Sequence, residues 1–198
     1  VTDGGRVYVW YGGPSGPGAS PDWIVDGDQS GDNLNGFGAA LGAAGDVNGD
    51  GYGDLIIGQS GYDAGLLDSG RVWVYYGGPG GLRAPATPAS ADWIVDGDQA
   101  NTDGYASLFG NSVGTAGDVN GDGFDDVIIG APMYDTPTTQ YAGRAYLYYG
   151  SVAGPRATPS WVVEGAISAR VGRAVSAAGD VNGDGYGDVV VGGFFWNG

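Results

Sequence analysis

An all-β fold of repeated four-stranded units is what this sequence predicts, and three observations predict it. Glycine fills 43 of 198 positions, far above the usual ~7%, while strong helix formers are scarce and no helical period persists. Short apolar runs bounded by Gly recur along the chain and read as strands. One acidic nine-residue loop occurs three times, always directly before such a strand.

The elements recur in a fixed order. The first is a Gly-Arg strand of alternating aliphatic and aromatic residues: Gly5-Arg-Val-Tyr-Val-Trp-Tyr-Gly-Gly13, then Gly70-Arg-Val-Trp-Val-Tyr-Tyr-Gly-Gly78, then Gly143-Arg-Ala-Tyr-Leu-Tyr-Tyr-Gly150. β-Branched and aromatic residues suit a pleated, half-buried surface. The second is a Trp strand: Asp22-Trp-Ile-Val-Asp-Gly27, Asp92-Trp-Ile-Val-Asp-Gly97 and Ser160-Trp-Val-Val-Glu-Gly165. The third precedes each loop: Gly36-Phe-Gly-Ala-Ala-Leu-Gly42, Leu108-Phe-Gly-Asn-Ser-Val-Gly114 and Arg170-Val-Gly-Arg-Ala-Val-Ser176. The fourth leaves the loop as Asp54-Leu-Ile-Ile-Gly58, Asp126-Val-Ile-Ile-Gly130 and Asp188-Val-Val-Val-Gly192. Four strands in a period of roughly 60–70 residues describe a β-propeller blade, slightly longer than the common types.

The loops carry the chemistry. They read Asp46-Val-Asn-Gly-Asp-Gly-Tyr-Gly-Asp54, Asp118-Val-Asn-Gly-Asp-Gly-Phe-Asp-Asp126 and Asp180-Val-Asn-Gly-Asp-Gly-Tyr-Gly-Asp188. Oxygen side chains stand at positions 1, 3, 5 and 9: Asp46, Asn48, Asp50 and Asp54; Asp118, Asn120, Asp122 and Asp126; Asp180, Asn182, Asp184 and Asp188. Gly at position 6 permits a sharp turn with positive φ. Position 7 (Tyr52, Phe124, Tyr186) would add a backbone carbonyl. Calcium takes 6–8 such oxygens, so three Ca²⁺ per chain are expected. The alternative is a plain Asx/Gly turn, and its three near-identical copies argue against that. An EF-hand needs a bidentate Glu at position 12 and flanking helices. Position 12 is Ile57, Ile129 or Val191, inside a strand. A dockerin-like loop fails for the same reason.

Phe-Gly, then Gly-Asp-Val-Asn-Gly-Asp-Gly, then an apolar strand, then Gly130-Ala131-Pro132, resembles the FG-GAP repeat of integrin α-subunit propellers. The resemblance covers nearly the whole chain. It implies that each repeat is one blade and that the acidic loop joins its first two strands and holds Ca²⁺. The Gly-Arg and Trp strands are then strands three and four. Copies one and three lack Gly-Ala-Pro, having Gly58-Gln-Ser and Gly192-Gly-Phe, and copy three has Val171-Gly172 for Phe-Gly. None of these departures touches an expected ligand. The blades are expected at about residues 36–98 and 107–165, with a third split between 168–198 and 1–28. Propellers typically have 4–8 blades, and three would leave faces such as Val72, Val74 and Leu55 uncovered. The ring is therefore expected to close by homo-oligomerisation or by further blades of a longer chain, with Val171–Val191 pairing with a hairpin like Gly5–Gly27 from the same or a neighbouring chain.

Other side chains have plainer readings. Trp10, Trp23, Trp73, Trp93, Trp161 and Trp196 occupy strand positions, so blade packing is favoured over a sugar platform. Arg6, Arg71 and Arg144 open strand three and are expected to pair with neighbouring Asp. Asp26, Asp28, Asp96 and Asp98 are expected in solvated turns. The inserts Gln59–Ser69 and Met133–Ala142 vary between repeats and are the candidate recognition loops.

Composition narrows the function classes. The net charge of −16 excludes a nucleic-acid partner, whose phosphates need a basic surface. His, Cys and Lys are absent, which removes the usual bases and nucleophiles, so no enzyme is expected. Disulfides are excluded with them. No apolar run approaches 18 residues, so no transmembrane segment is expected. Val1 is not an initiator Met, which suggests a processed product or an excerpt. The expected role is an extracellular or cell-surface adhesion or assembly scaffold with a protein or glycan ligand. The alternatives are a lectin-like propeller and a non-catalytic propeller module of a secreted polysaccharide- or lipid-active enzyme.

Overall fold

In the computed structural model, residues 4–29, 36–100 and 106–194 are described. Twelve strands run β1 (Arg6–Val9), β2 (Trp23–Asp26), β3 (Ala40–Gly45), β4 (Asp54–Gln59), β5 (Arg71–Tyr75), β6 (Trp93–Asp96), β7 (Ser112–Gly117), β8 (Asp126–Ala131), β9 (Arg144–Tyr148), β10 (Trp161–Glu164), β11 (Ala174–Gly179) and β12 (Asp188–Gly192). The only helical element among the described residues is a 3₁₀ turn at Pro88–Ser90. Every strand pairing is antiparallel. Two sheets have four strands, in the orders β3-β4-β5-β6 and β7-β8-β9-β10. The pairs β1-β2 and β11-β12 are separate two-stranded sheets. The fold is an all-β set of propeller blades, two complete and two halves. Among the described residues, β11-β12 does not pair with β1-β2.

The innermost strands β3, β7 and β11 are short-chained: Ala-Leu-Gly-Ala-Ala-Gly, Ser-Val-Gly-Thr-Ala-Gly and Ala-Val-Ser-Ala-Ala-Gly. Small residues let these strands approach one another closely; a Cβ on Gly42 would sit 3.1 Å from the Val113 carbonyl oxygen. Each ends in a register shift, at Ala43/Gly45, Thr115/Gly117 and Ala177/Gly179. Gly45, Gly117 and Gly179 take φ of +87°, +71° and +75°, a conformation glycine adopts without steric cost. These bulges re-aim the backbone into the acidic loop.

Blades pack face to face through three apolar clusters. Val7, Trp23 and Val25 of the first half-blade meet Ile57, Trp73 and Tyr75. Val72, Val74 and Trp93 meet Val127, Ile129 and Tyr148. Ile128, Ala145 and Leu147 meet Val175, Val189 and Val191. The contacts repeat in kind. Trp23 lies edge-on to Tyr75 at 5.2 Å, and Trp93 lies edge-on to Tyr148 at 5.3 Å. Such pairs add about 0.5–1.5 kcal/mol beyond burial.

Three expectations need correcting. Val72 and Val74 are fully buried, and Leu55 packs against the first cluster. The exposed apolar residues are instead on the half-blades. Blade packing accounts for Trp23, Trp73 and Trp93, but Trp10 and Trp161 are exposed, and Trp196 lies outside the described residues. Gln59 belongs to β4 and, like Ser60 and Ser69, is buried, so the ends of that insert are core rather than recognition surface.

Candidate metal centre

Each acidic loop is held open by its own backbone. In the first, the Asp50 N–H donates to both Asp46 Oδ1 and Asn48 Oδ1, each at 3.0 Å. Gly51 N–H donates to Asp46 Oδ2 at 2.8 Å, and Tyr52 N–H to Asp50 Oδ1 at 3.0 Å. The second loop repeats this. Asp122 N–H is shared by Asp118 Oδ1 and Asn120 Oδ1 at 3.1 and 2.9 Å, and Phe124 N–H donates to Asp122 Oδ1 at 3.1 Å. The third matches it, with Asp184 N–H shared by Asp180 Oδ1 and Asn182 Oδ1 at 3.1 and 2.9 Å and Tyr186 N–H on Asp184 Oδ1 at 3.0 Å. One N–H therefore brings the oxygens of positions 1 and 3 together in every copy. Gly51, Gly123 and Gly185 at position 6 have φ of +87°, +89° and +92°, as the turn requires. Position 4 has the same need: Gly49, Gly121 and Gly183 have φ of +73°, +73° and +77°.

Position 9 is anchored differently. Asp54 accepts from Val47 N–H at 2.9 Å and from Gly77 N–H at 2.9 Å. Asp126 accepts from Val119 N–H at 3.0 Å and Gly150 N–H at 2.8 Å. Both carboxylates are buried, and that burial pushes them up to about 6, with the acidic residues at positions 5 and 1 adding to the shift. Asp188 accepts Val181 N–H at 2.9 Å. By contrast, Asp180 is held below the ordinary carboxylate value by the N–H groups of Gly185, then Gly183 and Asp184.

The donor set suits a hard cation. Every side-chain donor at positions 1, 3, 5 and 9 is an oxygen, and three of the four are carboxylates. Among the described residues, however, no three acidic side chains form a ready-made metal-ligating cluster. The Asn amides at position 3 donate to the position-5 carboxylates at 3.0, 2.9 and 3.0 Å, and position 9 is occupied with backbone N–H groups.

The loops also lock the blades to one another, which the sequence did not reveal. Asp125 N–H donates to the Asp46 carbonyl at 3.0 Å, its carboxylate accepts Asp46 N–H at 2.8 Å, and Gly187 N–H donates to the Asp118 carbonyl at 2.8 Å. The Phe124 ring covers Gly49 and the Tyr186 ring covers Gly121. The aromatic choice at position 7 was the available signal.

The Arg positions are structural, as expected. Arg6 pairs with Asp26, Arg71 with Asp96, and Arg144 with Glu164 and Asp98. Asp26, Asp96 and Asp98 are thus ion-pair partners, not merely solvated turn residues. Asp98 also accepts the Tyr146 hydroxyl at 2.9 Å.

Known sequences match this architecture. A profile of the FG-GAP repeat matches residues 37–75 and 109–148, which are the two complete blades from their Phe-Gly to strand three. The chain belongs to the FG-GAP repeat family. Integrin alpha-PS2 of Drosophila melanogaster is 39% identical over 173 residues, covering 80% of this chain and 11% of that protein. Integrin alpha-7 of Homo sapiens is 35% identical over 166 residues, 82% of this chain and 13% of that protein. Phosphatidylinositol-glycan-specific phospholipase D of Bos taurus is 36% identical over 157 residues, 74% of this chain and 17% of that protein. The FG-GAP chain thus spans under a fifth of each of these relatives. Among its described residues, no helix is long and apolar enough to cross a membrane.

Proposed function

We propose that each acidic loop binds one Ca²⁺ and that the calcium-stiffened blades form an extracellular recognition or assembly scaffold without enzymatic activity. The observation that carries this reading is the threefold N–H bridge that gathers the oxygens of positions 1 and 3. Asp46, Asn48, Asp50 and Asp54 would hold the first ion, with the Tyr52 carbonyl. Asp118, Asn120, Asp122, Asp126 and the Phe124 carbonyl would hold the second. Asp180, Asn182, Asp184, Asp188 and the Tyr186 carbonyl would hold the third. The ion would supply positive charge to the three carboxylates of each loop and tie the loop to the start of β4, β8 or β12. The absence of His, Cys and Lys supports a non-catalytic role, and the integrin relatives support a cell-surface setting. The stacked Tyr8–Trp10 pair, 5.9 Å between centroids, favours a glycan as the alternative ligand, which a glycan array tests.

Calorimetry decides the calcium reading. The expected result is close to three sites per chain with Kd of roughly 10⁻⁴–10⁻³ M, the range of extracellular modules, and weaker Mg²⁺ binding. Fewer than two sites, or equal preference for Mg²⁺, would overturn it.

A further inference from the structure

The two half-blades are complementary, and the complete blades show how they would join. Strand β4 pairs with β5 through Ile56↔Val74, and β8 pairs with β9 through Ile128↔Leu147. Transferred to the same repeat positions, both templates give one register for β12 on β1: Val190↔Val9, Val191↔Tyr8 and Val189↔Trp10. The side chains concerned are the ones left uncovered. Trp73 and Tyr75 are 0% and 3% exposed, whereas their equivalents Tyr8 and Trp10 are 46% and 45% exposed. Ile56 and Ile128 are both 0% exposed, whereas their equivalent Val190 is 53% exposed. Trp161 is 40% exposed. It stands where Trp23 and Trp93 stand in packing edge-on to a strand-three aromatic, and in the transferred register that aromatic is Trp10.

A plug and a socket are left over as well. Val47, at position 2 of the first loop, is buried between blades against Val74 and Val127, and its carbonyl accepts Ser151 N–H at 3.1 Å. Val119 fills the next interface beside Tyr149 and Val189. Val181 is the third member of the set and is 73% exposed. The matching socket exists at the other end of the chain: a cavity of about 330 Å³ lined by Val9, Tyr11, Tyr52, Leu55, Gly77 and Gly78, among others. The loop anchoring is incomplete in the same place. Asp54 and Asp126 each accept an N–H from the glycine after strand three, Gly77 or Gly150. The equivalent glycine for Asp188 is Gly12, in the N-terminal half-blade.

We propose that two copies of this chain join head to tail: β1-β2 of one copy completes the blade begun by β11-β12 of the other. Val181 of the first copy enters the Val9–Tyr52–Leu55 socket of the second, and Gly12 N–H of the second caps Asp188 of the first. The occupant is a second copy because the edge, the aromatic contact, the socket and the missing N–H are all supplied by one chain, in the geometry that this chain already uses twice internally. Apart from the Asp188 carboxylate, the contact consists of backbone and apolar groups.

The chain has no native Cys, so a disulfide trap reads the register directly. The double variant Val9→Cys/Val190→Cys is oxidised and its mass measured without reductant, beside Tyr8→Cys/Val190→Cys, which places the thiols on opposite faces. The expected result is a covalent dimer for the first pair and little for the second. Light scattering of the unmodified chain should show a dimer, and Val181→Asp should shift it towards monomer by tenfold or more in Kd while its circular dichroism stays native. An internal disulfide within a monomer would overturn the proposal in favour of closure on itself. A stable monomer without intermolecular cross-link would overturn it in favour of a different occupant of the edge.

Discussion

Replacing Asp122 with Ala separates a calcium ligand from a turn residue. The side chain is exposed and makes two local bonds: Oδ1 accepts Phe124 N–H at 3.1 Å, and Oδ2 accepts the Asn120 amide at 2.9 Å. Water replaces both partners once the carboxylate is gone, so their loss costs at most about 1 kcal/mol in total. Removing the charge also relieves Asp126, whose carboxyl is raised in part by Asp122. In chelator the net change should therefore stay below about 1 kcal/mol, or roughly 2–4 °C for a domain of this size. In calcium the variant forfeits the linkage term of its site, RT ln(1 + [L]/Kd), about 2.7 kcal/mol at 100-fold excess over Kd. At roughly 2–4 °C per kcal/mol, that is a fall of about 5–10 °C beyond the chelator effect. Circular dichroism melts of wild type and variant in calcium and in EDTA give the four temperatures needed. Equal falls in the two conditions would refute the reasoning, because the carboxylate would then be acting only through its turn.

Two further outcomes follow from buried groups. Without calcium, the folded Asp54 and Asp126 have values near 6, above their ordinary 3.8. The folded state then binds more protons than the unfolded state between those pH values, so acid favours folding there. In EDTA the melting temperature should rise as pH falls from 7 to about 5, whereas in calcium it should fall as protons compete for the ligands; a steady fall in EDTA over that range would contradict the assignment. Gly130→Ala should destabilise by about 1–3 kcal/mol or more, since its Cβ would collide with the backbone carbonyl of Gly172, while Gly114→Ala, with nothing within 4 Å, should be near neutral; similar melting temperatures for the two would contradict the close strand approach.

The strands and loops were legible because their causes are local. A β-branched run bounded by Gly is a strand wherever it sits, and alternate oxygens around a position-6 glycine make one kind of turn. What stayed hidden depends on neighbours distant in sequence. Nothing in Asp-Val-Asn-Gly-Asp-Gly says that position 2 is an inter-blade plug, because the pocket for Val47 is built from Val74, Val127 and Gly150 of other strands. The Asp125 carboxylate, 79 residues in sequence from the Asp46 N–H it accepts, gave no local signal either. The misjudged faces have the same origin. Val74 and Val9 occupy the same position of one repeated strand, and so do Trp73 and Tyr8, so periodicity treats the copies alike. Exposure follows from which blade stands beside each copy. Trp73 is buried because Phe37 and Tyr62 lie edge-on to it at 5.1 and 5.2 Å, whereas its equivalent Tyr8 lies in β1, a strand whose outer edge no other strand among the described residues pairs. A repeat sequence therefore specifies the interface before it specifies the partner, and the side chains left exposed at its two ends carry the information about what completes it.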